Sequence, residues 1–354
     1  MSLSPFDNAL LRDFLGDAEV EAALCAEADI RAMLAFEAAL ARAEALHGLI
    51  PAEAAETIAT VCVQFQPDVA ALARGVASDG VVVPALVRAL RAAAGPEVAP
   101  HVHRGATSQD VIDTSLMLRL KPLAARLCTR LGAILARLAA LDAAFGERAL
   151  MGHTRMQAAL PITVSDRLRS WSGPLAPLML RLDRLSFPVQ FGGAVGTLEG
   201  LEGKGAQVRA ALAAELGLED TPQWHSTRTV IADLGHLLAL ITGSLGKMGQ
   251  DIALLAQAGD DIALSSGGGS SAMPHKQNPV AAETLVALAR FNAVQASALQ
   301  QAMVHEQERS GAAWTLEWLT LPHMLAATGA ALRHAEALTL SILRLGGADD
   351  TRPG

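Results

Sequence analysis

Apolar residues recur along this chain at alternating steps of four and three. Leu234, Leu238, Ile241, Leu245, Met248, Ile252, Leu255 and Ile262 keep that rhythm if Gly259 fills one place. The period is 3.5 residues, that of a helix packed along a bundle. Leu116, Leu120, Leu123, Leu127, Leu131, Ile134, Leu138 and Leu141 form a second stripe, and Leu321, Leu325, Thr328, Leu332 and Ala335 a third. Pro122 lies inside the second stripe and predicts a kink or a break there. Residues 280–305 and 158–185 also read as helical, the latter broken by Pro174 and Pro177. Strand patterns are sparse. "VVVP" (81–84) is short and runs into a helix-like segment, and "FPVQFGGAVGT" (187–197) reads as a short strand or a glycine-rich loop. Strands and helices do not alternate, so a doubly wound parallel sheet is not supported.

The chain therefore reads as all-α. The turn over 92–110 divides medium helices from long ones. We expect an N-terminal helical domain over 1–104, a long-helix bundle over 105–345 and a tail over 346–354. Long helices striped on more than one face bury those faces against partner chains, so a homo-oligomer is expected.

Composition narrows the function. Of the 354 residues 51% are hydrophobic, enough for a sizeable core. Aromatic residues are only 3%, Tyr is absent and the net charge is −8 with no basic run, which argues against a nucleic-acid partner. Cys25, Cys62 and Cys128 are widely spaced and read as free thiols in a reducing compartment. No basic n-region precedes an apolar stretch at the N-terminus, and no apolar run approaches the roughly 20 residues of a membrane span. A soluble, cytoplasmic protein without membrane contact is expected.

Three polar islands interrupt the apolar pattern. "HVHRGATSQDVIDT" (101–114) offers Thr107 and Ser108 either as helix caps or, with the free N–H groups of a helix start, as an anion site. His101 and His103 have no clear carboxylate or Cys partner, so no metal site is expected. "MGHTRMQAALPIT" (151–163) places His153, Thr154, Arg155 and Gln157 between apolar segments, where a guanidinium can bind a carboxylate bidentately. "GGGSSAMPHKQNP" (267–279) has glycines that allow close backbone approach, prolines that stiffen its far side, and Lys276 between them. Lysine is scarce here, occurring only at Lys121, Lys204, Lys247 and Lys276. One lysine set in such a loop suits anchoring an anion or stabilising an enolate. The stretch does not fit a phosphate-binding P-loop.

The third island resembles the signature SSxMPxKxNP of the fumarase/aspartase superfamily. "HRGATSQDVIDT" and "GHTRMQAALPIT" resemble that superfamily's first and second conserved regions, in the expected order and spacing. With "FGGAVGTLEG", "PQWHSTRTVIAD" and "GAAWTLEWLTLP", the likeness narrows to the 3-carboxy-cis,cis-muconate cycloisomerase family. The resemblance implies a long-helix bundle of the fumarase/aspartase type, a homotetramer with sites built from three subunits, a small polycarboxylate substrate and no cofactor. It implies that Ser270 is the general base at the carbon α to a carboxylate, and that Lys276 and Asn278 stabilise the aci-carboxylate. Thr107, Ser108, Gln109, Thr154 and Gln157 match substrate-contacting positions; Arg155, Ser271 beside Ser270, and His103, which aligns with a histidine of adenylosuccinate lyases, are expected to bind substrate with them. Glu283 matches a glutamate that orients a catalytic histidine.

Two departures sharpen this. Where the lyases read "GRTH", this chain reads "GHTR", so Arg155 stands at the position of an acid/base histidine. A carboxylate leaving group, with a pKa near 4, needs little protonation to depart, whereas an amine or hydroxide does. Arginine in place of histidine therefore favours a cycloisomerase over an adenylosuccinate- or argininosuccinate-type lyase, the alternative reading. Intact Ser270, Lys276 and Asn278 argue against a third reading, a non-catalytic structural relative. The second departure is length: the small C-terminal domain usual in the superfamily is expected to be missing.

Overall fold

The computed structural model describes residues 4–265, 267–269, 273 and 277–347. Twelve α-helices occur among them: α1 (Arg12–Leu15), α2 (Ala18–Leu24), α3 (Ala26–Leu46), α4 (Ala52–Gln64), α5 (Val69–Asp79), α6 (Val83–Ala94), α7 (Ser108–Phe145), α8 (Val164–Asp183), α9 (Gly205–Leu216), α10 (Thr229–Ala258), α11 (Val280–Gln301) and α12 (Gly311–Ser341). The described strands form two short antiparallel pairs, β1 (Ala149–Thr154) with β2 (Gln157–Thr163) and β3 (Ile262–Leu264) with β4 (Ile342–Leu345).

The three stripes form the centre. Leu120, Leu127, Ile134 and Leu141 of α7 share one core with Leu234, Ile241, Leu245 and Ile252 of α10 and with Leu321, Leu325 and Leu332 of α12. By length and composition alone α10 could cross a membrane, contrary to the expectation that no run is long enough, but its stripe lies inside this core. Three glycines let α10 sit close to α11. A Cβ at Gly249 would lie 2.6 Å from the Ala282 carbonyl, at Gly246 2.5 Å from the Ala289 Cβ, and at Gly235 2.2 Å from a Leu299 methyl.

A second core gathers Met33, Phe36 and Leu40 of α3, Ile58 of α4 and Leu86 and Leu90 of α6. It also takes in Val189, Phe191, Leu201, Val208 and Leu212. The segment after α8 thus returns to cover the N-terminal helices, and this core draws on residues from both sides of position 104.

Several local expectations are corrected. Pro122 lies within an unbroken α7, and Pro174 and Pro177 lie within an unbroken α8. Each proline forfeits one helical hydrogen bond, but buried Leu120, Leu123 and Leu127 hold α7 on both sides, as Trp171, Leu175 and Leu178 hold α8. The stretch 158–163 is strand, not helix. Arg155 and Met156 adopt φ of 49° and 63°, making the two-residue left-handed turn that suits a hairpin. α8 begins only at Val164, where the Thr163 hydroxyl accepts from Asp166 N–H at 3.1 Å and Thr163 N–H donates to the Asp166 carboxylate at 2.9 Å. The α10 stripe ends at Ala258, because Gly259 at φ 89° turns the chain and Ile262 enters β3. Of the two readings of 187–197 the loop is the one observed, touching Glu219 through one isolated bridge at Pro188. "VVVP" is not a strand; Val83 opens α6 with Pro84 in its first turn.

Candidate active site

The first island sits at the start of α7, and one carboxylate organises it. Asp110 is fully buried and accepts from Thr107 N–H at 2.9 Å, Gly192 N–H at 2.9 Å, Gly193 N–H at 3.0 Å and His225 Nε2 at 2.7 Å. A side chain at Gly192 would meet the His225 ring at 2.8 Å, and Gly193 has φ 71°, so both glycines are needed for that approach. Asp110 thereby fixes the turn that presents Thr107 and Ser108, both half-buried, at a helix N-terminus where unpaired N–H groups attract anions.

One turn further, Asp113 anchors a buried ion network. It accepts Arg228 Nη1 at 2.6 Å and Nη2 at 3.1 Å, and Trp314 Nε1 at 3.2 Å. Arg228 also donates to Glu317 at 2.8 and 2.6 Å and stacks over Trp224 at 4.7 Å. Burial works against the Arg228 charge, but the two carboxylates outweigh it and hold the guanidinium above its ordinary range. Burial pushes Glu317 up, against the pull of Arg228. The starts of α7, α10 and α12 are thus tied together.

Gln109 belongs to this network rather than to the surface. It is fully buried, its amide N–H groups reach Asp113 at 3.2 Å and the His225 carbonyl at 2.9 Å, and its oxygen accepts from Arg309 at 2.9 Å. In this arrangement the Gln109 amide is thus engaged within the chain. His103, four residues before Thr107, turns Nδ1 to Glu37 at 2.6 Å. A cavity of about 310 Å³ borders the network on its apolar side, between Met33, Ile112, Leu116, Trp318 and Leu321, and does not reach Thr107.

The second island is the tip of the β1–β2 hairpin. His153, Thr154, Arg155 and Gln157 are all exposed there, and Thr154 pairs with Gln157 across the turn. In the third island, Asn278 pairs with Gly268 through two backbone hydrogen bonds of 2.8 Å, and its amide reaches the Gly269 carbonyl at 3.4 Å. Ser270, Ser271 and Lys276 lie outside the described residues. Glu283 is exposed in the first turn of α11.

One chain does not bring the three islands together. The 38 residues of α7 span about 57 Å, with Thr107 at one end and the hairpin just past the other. The 30 residues of α10 span about 45 Å, from Arg228 beside Asp113 to the third island. At the far end the hairpin base meets the strand leading to that island: Gly347 N–H donates to the Ala149 carbonyl at 3.3 Å and Gly346 N–H to the Asp261 carbonyl at 2.8 Å.

Asp113, His225, Arg228, Arg309 and Glu317 were not singled out by sequence reasoning. Their signal was charge set within apolar helical pattern, as in "TRTVIADL" and "WTLEWL", and the polar run "HEQERS" between α11 and α12.

The profile of the lyase family matches residues 11–293. The chain is 40% identical to a 3-carboxy-cis,cis-muconate cycloisomerase of Bradyrhizobium diazoefficiens, the match covering 94% of this chain and 75% of that one. It is 40% identical to the 3-carboxy-cis,cis-muconate cycloisomerase of Pseudomonas aeruginosa, over 94% of this chain and 74% of that one. The crystal structure of the 3-carboxy-cis,cis-muconate lactonizing enzyme from Pseudomonas putida superposes with a TM-score of 0.88 at 35% identity, covering 95% of this chain and 77% of that one. The fold is the helical bundle of the fumarase/aspartase type.

Proposed function

The chain belongs to the lyase family and is an enzyme of the lyase and cycloisomerase type, and on that premise we propose that it interconverts 3-carboxy-cis,cis-muconate and 4-carboxymuconolactone, a step of protocatechuate catabolism. The observation that carries this reading is Arg155. It stands where lyases of this kind have histidine, exposed on a hairpin tip whose left-handed turn holds it out from the bundle. A guanidinium does not exchange protons near neutral pH. It suits a reaction in which a substrate carboxylate must be gripped and no basic leaving group needs a proton.

In the lactonising direction, one substrate carboxylate oxygen forms a C–O bond to an alkene carbon. The π electrons move to the carbon α to a second carboxylate, which becomes an aci-carboxylate. Lys276, Asn278 and the backbone N–H groups of the third island hold that charge. Ser270 delivers a proton to the α carbon and recovers one from water, so the trianion becomes a dianionic lactone. In the reverse direction the Ser270 alkoxide removes the same proton; the loop amides and nearby cations stabilise it. Thr107 and Ser108 receive a third carboxylate at the α7 N-terminus.

The separation of the islands supports a site assembled from several subunits, with the homotetramer as the unit. Val294 of α11 and Leu319 and Leu340 of α12 are exposed in the single chain, as helix faces buried between subunits would be. The test is a choice of substrates. The enzyme mixed with 3-carboxy-cis,cis-muconate should remove the ultraviolet absorbance of the diene. Release of fumarate from adenylosuccinate, with no change in the diene, would assign the lyase reading instead.

A further inference from the structure

Beneath the first island, α3 carries two carboxyl groups into the interior. Glu37 and Glu44 lie seven residues apart on one helix face, and both are buried. A carboxyl group in an apolar core must find a counter-charge or keep its proton. Glu44 keeps its proton: neither oxygen has a partner among the described residues, and burial, opposed by Arg104 and reinforced by Glu37, lifts it to about 8. Glu37 has found a partner, the Nδ1 of His103 at 2.6 Å.

The His103 backbone is shaped to make that contact. It adopts φ 62°, a left-handed conformation that is unfavourable for a non-glycine residue and persists only where neighbours enforce it. Both neighbours are clamped. The Val102 carbonyl accepts from Arg91 at 3.0 Å, and Arg104 binds the Leu49 carbonyl and, at 2.7 Å, Glu202. The ring is turned inward, with 14% of its side chain exposed above a Glu37 side chain that is fully covered. The opposite ring nitrogen, Nε2, has no hydrogen bond among the described residues. His103 lies four residues before Thr107 and five before Ser108.

We propose that Glu37 is a positioning residue: by binding Nδ1–H it holds His103 as an imidazolium whose Nε2–H is free to take a substrate carboxylate beside Thr107 and Ser108. The identity of that anion rests on the cycloisomerase reading; the Glu37–His103 pair does not. The charged and titratable groups facing the pair are Glu44 from α3, Cys62 from α4, Arg91 from α6, Asp110 from α7 and the adjacent Arg104. Among the described residues, only Glu37 bonds the ring. Burial pulls His103 down, but the Glu37 charge and hydrogen bond, helped by Asp110 and opposed by Arg91, raise it above the ordinary histidine value. The cation is therefore complete at low pH and lost as pH rises through that raised value.

Glu37→Gln tests this, since glutamine keeps the shape and can still accept from Nδ1–H but carries no charge. The His103 titration midpoint, read from ring ¹⁵N shifts, should fall by about one unit. For 3-carboxy-cis,cis-muconate at neutral pH, KM should rise about tenfold with kcat nearly unchanged, and the alkaline limb of kcat/KM should move to lower pH. His103→Gln should raise KM similarly, and the double variant should be no worse than His103→Gln alone. An unmoved midpoint in Glu37→Gln, or multiplicative effects in the double variant, would overturn the proposal. If Glu37→Gln does not fold, the wild-type midpoint decides: a value at or below that of ordinary histidine contradicts the pair. If the wild type leaves the muconate untouched, the cycloisomerase reading fails while the ring titration still judges Glu37.

Discussion

Single residues carry the charge balance of the interior, and their partners are remote in sequence. Asp110 and His225 are 115 residues apart, as are Asp113 and Arg228, and Glu37 and His103 are 66 apart. Polar residues on short apolar background, such as Thr107 and Ser108, are legible as an island because the contrast is local. A glutamate in an alanine-rich helix carries no such contrast, which is why Glu37 and Glu44 pass unnoticed until the fold covers them. Glu44 has a consequence that stability measurements can reach. Its folded value, about 8, lies above the unfolded 4.5, so the native state holds a proton that the unfolded chain gives up as pH rises. Stability should therefore fall with pH between about 5 and 8 and level off above. Glu44→Gln removes that dependence. It should match the wild type near pH 4.5 and exceed it by about 3 kcal/mol at pH 7, measured by urea unfolding across that range. Identical pH profiles for the two proteins would refute the buried, protonated carboxyl.

At the scale of elements, the long helices are legible because a 3.5-residue stripe survives every polar face around it. Their interruptions are not. Pro122, Pro174 and Pro177 carry the same local signal as a helix end, and only the leucines packed on either side keep α7 and α8 continuous. The hairpin is hidden for the opposite reason. Its turn is made by Arg155 and Met156 rather than by glycine or asparagine, and its second strand, "QAALPIT", lacks clean alternation. The α10–α11 contact offers a test in which two effects oppose. Gly249→Ala gains about 1 kcal/mol of helix propensity. The new methyl would lie 2.6 Å from a backbone oxygen of α11, which cannot swing aside. Steric conflict should win, destabilising the fold by about 1–3 kcal/mol and lowering the melting temperature. A higher melting temperature would show that the helices are not in this contact.

At the scale of the whole molecule, the long helices separate what the chemistry needs together. The first island lies about 57 Å from the hairpin along α7 and about 45 Å from the third island along α10. On the proposed reading, complete sites draw on several copies of the chain. Thr107→Val and Ser270→Ala, each inactive alone, should regain activity when dissociated, mixed and reassembled, because some sites would draw both islands from unmutated subunits. Mixing without recovery would place each site within one chain. The central claim is proton transfer at a carbon α to a carboxylate, coupled to ring closure. It is tested most directly by running the reaction on 3-carboxy-cis,cis-muconate in D₂O and reading the product by NMR. We predict a carboxymuconolactone with one deuterium on the carbon α to a carboxylate, formed by the wild type and lost in Ser270→Ala. Unreacted muconate, or a lactone with no deuterium at that carbon, would contradict it.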